Sequence, residues 1–147
     1  MSVLTRAALL GLATGARSTS GLAALALTTS SGILGNRWAR RLSGVAAAGE
    51  FVGDKLPQTP SRLQPEGLAP RLILGAVTGA LLTRREGGSR NRALQAGALG
   101  LLGATAGSQL GVSWRQLAAR RFGRDVPGAL IEDAWAAAAA RYASRRR

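Results

Sequence analysis

The sequence predicts an all-α fold, and three observations predict it. Nearly half of the 147 residues are hydrophobic but only 4% are aromatic; Ala and Leu carry the apolar content, with 20 glycines scattered among them. Small residues at that density favour helices in close backbone contact over a bulky core. Four of the five prolines fall within residues 57–70, which leaves long Ala/Gly/Leu-rich stretches free of helix breakers on either side. The basic residues are bunched at the ends of nearly uncharged stretches, as at helix flanks that face lipid headgroups. Together these predict a small polytopic membrane protein: one integral-membrane domain over residues 1–147, with four or five Gly/Ala-rich helices and an interfacial amphipathic segment.

Residues 1–34 contain no acid and only Arg6 and Arg17. The apolar pattern resumes after the patch RSTS at Arg17 to Ser20, so a first membrane helix is expected over 2–28. It is weakened between Gly15 and Gly21, where Ser and Thr can rejoin freed backbone groups. A cleaved secretory signal and an organellar transit peptide are the competing readings of this stretch, and cleavage within it stays open. The hinge at Asn36 to Arg41 carries Trp38, a residue suited to the lipid interface, and a second helix is expected over 38–53. At a rise of about 1.5 Å per residue it reaches only about 24 Å of a hydrocarbon core about 30 Å thick. Snorkelling arginines or local thinning of the bilayer would have to supply the rest.

Pro57, Pro60, Pro65 and Pro70 each remove a backbone donor and disfavour helix at the preceding residue, so residues 54–70 read as an extended elbow. A third helix is expected over 69–83, with Gly75 and Gly79 on one face, ending at the stop signal Arg84, Arg85, Gly87 and Gly88. The strongest membrane signal is 93–112, a stretch without charge in which Gly103, Gly107 and Gly111 repeat at intervals of four. Gly11 with Gly15, and Gly49 with Gly53, are weaker versions of that pattern. Trp114 then leads into SWRQLAARRFGRD, read as lying along the interface. Asp125 and Pro127 open a last helix over 127–142, and Tyr142 marks its exit. Trp38, Trp114 and Tyr142 are thus the expected interface anchors.

The net charge of +13, from 19 arginines and one lysine against seven acids, implies an anionic partner. Bunching at segment ends points to a bilayer with anionic headgroups, together with other membrane subunits, rather than to nucleic acid, which takes a basic face. The absence of Cys and His excludes disulfides, thiol catalysis, Cys/His zinc sites and imidazole bases. No phosphate-binding glycine loop follows a strand pattern. No enzyme, cofactor or metal site is expected.

Around the elbow, GEFVGDKLPQTPSR at Gly49 to Arg62, the chain resembles the bacterial multi-pass membrane proteins grouped as domain of unknown function 4126. Three features carry the likeness, which covers most of the chain. They are Gly15, Ala16 and Arg17 after a small-residue helix; Glu50, Asp54, Lys55 and Pro57 at the end of a helix; and Leu130, Glu132, Asp133 and Ala134 opening another. The central motif is the most specific. The second and last helices are shorter and richer in alanine than the family's pattern. The resemblance implies a small multi-pass protein of the bacterial inner membrane, and it supplies neither an activity nor a ligand.

Glu50 and Asp54 lie four apart and share a helix face, and a carboxylate at bilayer depth needs a partner. Arg17, alone in an uncharged stretch, is the natural one. The expectation is a polar cluster of Arg17, Glu50, Asp54, Lys55, Glu132 and Asp133 between the helices. A plainer reading leaves Asp54 and Lys55 at the headgroups and Glu132 and Asp133 at the positive end of the last helix. The expected function is that of a structural or accessory subunit of a membrane complex. A small ion or solute transporter using the carboxylates is the alternative, and a basic nucleic-acid-binding protein the third.

Overall fold

The computed structural model describes residues 1–29, 36–53, 63–123 and 125–145, and six helices lie among them. They are α1 (Val3–Ala16), α2 (Ser20–Thr28), α3 (Arg37–Gly53), α4 (Pro65–Arg85), α5 (Arg90–Phe122) and α6 (Asp125–Ser144). Ser2 starts α1 as an N-cap, its hydroxyl accepting the Thr5 N–H at 3.1 Å. The helix stops at Ala16 because Arg17 is extended, while the Ser20 hydroxyl donates to the carbonyls of both Ala13 and Arg17 at 2.8 Å. Such side-chain bonds compete with the helical ladder, and the chain restarts as α2.

Helix α4 opens with Pro65 at its start, where the missing N–H costs nothing. The turn into α5 uses Gly87 at φ 75, a left-handed conformation that suits glycine, and the Ser89 hydroxyl accepts the Arg92 N–H. Gly123, at φ 64, caps α5 with its N–H on the Ala119 carbonyl, and α6 begins two residues later.

Helix α1 packs chiefly on α5, α4 pairs with α5, and α6 covers α1, α2 and α5. Helix α3 leans on α2. The core is alanine-rich and contains leucines, with Ala7, Leu10, Ala13, Leu25, Leu82 and Ala96 at its centre. Between α1 and α5 the backbones touch. A Cβ on Gly11 would overlap the Gly100 carbonyl, one on Gly103 the Ala8 carbonyl, and one on Gly107 the Leu12 carbonyl. Across α4 and α5, Gly75 meets Gly100 and Ala104 while Gly79 meets Ala96. Gly111 is buried farther along α5.

The polytopic membrane architecture expected from the sequence is not what forms. Among the described residues no helix is long and apolar enough to cross a membrane, and that finding corrects both the multi-pass fold and the inner-membrane location. The expected helix over 2–28 is two helices of 14 and 9 residues. Helix α5 has the length, 33 residues, but Ala and Gly each carry little apolar surface, and Gln95, Thr105, Ser108 and Gln109 dilute it further. The interfacial segment expected after Trp114 is the continuation of α5 to Phe122. The extended elbow is corrected at its end, since Pro65 and Pro70 both lie within α4. Pro70 is on the exposed side of α4.

Candidate site: guanidinium caps and an exposed aromatic helix face

Every α-helix ends in carbonyls without partners and a partial negative charge. In this bundle arginines from other helices meet those ends. Arg71 of α4, buried, donates from Nη1 to the carbonyls of Gly15 and Ala16 at 3.0 and 3.2 Å, capping α1. Arg40 of α3 donates to Ala26 and Leu27 at the end of α2, at 3.3 and 3.0 Å. At the end of α6, Arg6 donates to the carbonyls of Ala143 and Arg145, and Arg85 to that of Ser144 at 2.7 Å. Arg6 is only 5% exposed, and its charge is met by Glu86 at 2.6 Å. Arginine suits these places because its fork of donors spans two acceptors at once. None of Arg6, Arg40, Arg71 or Arg85 was singled out as a site residue from the sequence. For Arg6 a signal existed: a lone cation within an apolar, alanine-rich helix.

Of the expected polar cluster, the structure brings together Arg17 and Asp133, whose Oδ1 accepts from Nε and Nη2 of Arg17. Glu132 is buried at the same level and lines a groove of about 360 Å³ with Ala16, Leu110, Trp114 and Trp135. The end of α1 is therefore where Arg17, Arg71 and Asp133 converge. Glu50 lies near the end of α3, where only the backbone is described, and Asp54 and Lys55 fall outside the described residues. Trp114 is half-buried; its indole N–H donates to the Gly128 carbonyl at 2.8 Å and ties α5 to α6. Tyr142 is exposed.

Trp38, like Tyr142, is an expected anchor that the structure presents outward. Asn36 accepts the Trp38 N–H at 2.9 Å and sets the first turn of α3. At about 100° per residue, Trp38, Leu42 and Val45 share one face of the helix. They are 56%, 66% and 70% exposed. Arg37 and Arg41 flank that face, their guanidinium carbons 5.9 and 5.6 Å from the Trp38 ring centroid. Arg40 projects from the opposite side and holds α2, so one edge of α3 is anchored while Trp38, Leu42 and Val45 on the other are exposed.

The chain matches no family model, no curated protein and no solved structure. The likeness to the family of membrane proteins given above rests on its quoted residues alone.

Proposed function

We propose that this chain is a non-catalytic structural or accessory protein that docks on an anionic lipid surface through α3, without crossing it. The observation that carries this reading is the exposed Trp38, Leu42 and Val45 face with Arg37 and Arg41 beside it. Aromatic and aliphatic side chains on one face, with guanidinium groups beside them and low overall hydrophobicity, are what an interfacial helix needs. Charge supports the same partner. Glu86 and Asp133 are engaged in internal ion pairs and Glu132 is buried, so these acids do little to offset the surface arginines.

Each arginine near an anionic bilayer contributes about 1 kcal/mol, which falls off within a Debye length of about 8 Å at physiological salt. Docking by one short helix is accordingly weak, reversible and sensitive to salt. Sedimentation of the purified chain with phospholipid vesicles tests it. Binding is expected to vesicles containing phosphatidylglycerol and not to pure phosphatidylcholine. It should drop several-fold in Trp38→Ser and fade as salt rises. Equal binding to both vesicle types, or salt-dependent retention on DNA with no vesicle binding, counts against the reading.

A further inference from the structure

A second groove, about 730 Å³ in volume, runs between α2 and α6. Its walls include Ala23, Ala24 and Leu27 on one side and Leu130, Ala136 and Ala137 on the other. Three hydroxyls along it are turned to backbone: Ser20 donates to Ala13 and Arg17, Thr28 to the Ala24 carbonyl at 2.8 Å, and Ser144 to the Arg141 carbonyl. The trough is thus apolar along its length and within the size range of small-molecule sites, about 300–1,000 Å³.

Its two ends differ in charge. At one end Arg17 is neutralised by Asp133. At the other stand Arg141, in the last turn of α6, and Arg145, just past its end; both line the groove and are exposed, and among the described residues no acid pairs with either. The carbonyls at the end of α6 would ordinarily repel an anion placed there. Here Arg6 and Arg85 occupy them. An apolar trough with a cationic mouth matches one kind of molecule, a hydrocarbon chain with an anionic head.

We propose that the groove between α2 and α6 binds a single-chain carboxylate, its tail along the alanine walls and its head at Arg141 and Arg145. The site is separate from the Trp38 face of α3 and does not depend on docking to a bilayer.

Titration calorimetry on the full chain with dodecanoate, kept below its aggregation concentration and with no vesicles present, tests this. One dodecanoate per chain is expected, with dodecyltrimethylammonium binding far more weakly. The double change Arg141→Ala and Arg145→Ala should weaken dodecanoate binding about tenfold, through loss of charge-assisted hydrogen bonds. Ala137→Trp, at an exposed position on the wall, should block the groove, while Trp38→Ser should bind dodecanoate as the parent chain does. Should Ala137→Trp fail to fold, the arginine double variant carries the test alone. Equal binding of the cationic amphiphile, dodecanoate binding indifferent to the arginine changes, or heat only above the aggregation concentration overturns the proposal.

Discussion

At the scale of residues, the arginines of this chain are used in a way that charge counting does not reveal. Arg17 and Asp133 lie 116 positions apart and pair across α1 and α6, both largely shielded from water. Removing one partner leaves a poorly solvated charge, so Arg17→Ala and Asp133→Ala should each destabilise the fold. In a double-mutant cycle read by denaturant unfolding, a coupling on the order of 1–3 kcal/mol is expected; simple additivity would mean the pair contributes nothing as a pair. The sequence made Arg17 conspicuous as an isolated charge and placed it in one cluster with Asp133, but it also suggested Glu50 as Arg17's partner. The partners of Arg6, Arg40, Arg71 and Arg85 were not legible at all. They include backbone carbonyls at helix ends, and which helix ends near which arginine depends on the packing of the whole bundle.

At the scale of elements, glycine spacing carries most of what the sequence says about packing. Gly103 and Gly107, four apart, both face α1, and Gly11 and Gly15 answer them from α1. Gly107→Ala should therefore cost about 1–3 kcal/mol by overpacking against Leu12, despite alanine's better helix propensity. Gly49, by contrast, has nothing within 4 Å of where a Cβ would sit, so Gly49→Ala should gain about 0.5–1 kcal/mol. Thermal melts of the two variants check the contrast in sign. Gly11 with Gly15 and Gly49 with Gly53 look alike as sequence; Gly11 and Gly15 meet a second helix while Gly49 meets none, and spacing alone does not say whether a face is covered. The same gap explains α5. An uncharged run over 93–112 and an arginine-rich run after Trp114 read as separate segments, yet nothing between them breaks a helix, and Trp114 bonded to Gly128 holds the junction inside the bundle.

At the scale of the whole molecule, the balance is between apolar length and apolar weight. Alanine and glycine lend the sequence long uncharged stretches, which is why it suggests membrane spans. They bury little surface each, and helices built from them satisfy one another by backbone contact instead. The surface carries a positive charge and several exposed apolar side chains, among them the Trp38, Leu42 and Val45 face of α3. The helical class and the anionic partner were both suggested by composition, and the partner is still a proposal. The break of the first expected span at Arg17 needed the three-dimensional structure, whereas α5 has the length and lacks the apolar weight. An alkaline carbonate wash of membranes from cells expressing a tagged copy tests the central claim most directly. Release of the intact chain from the membrane fraction into the supernatant is the predicted result, because the proposed docking through α3 is superficial and electrostatic. Retention in the washed pellet would contradict it and restore an embedded protein; absence from the membrane fraction before any wash would contradict the docking itself.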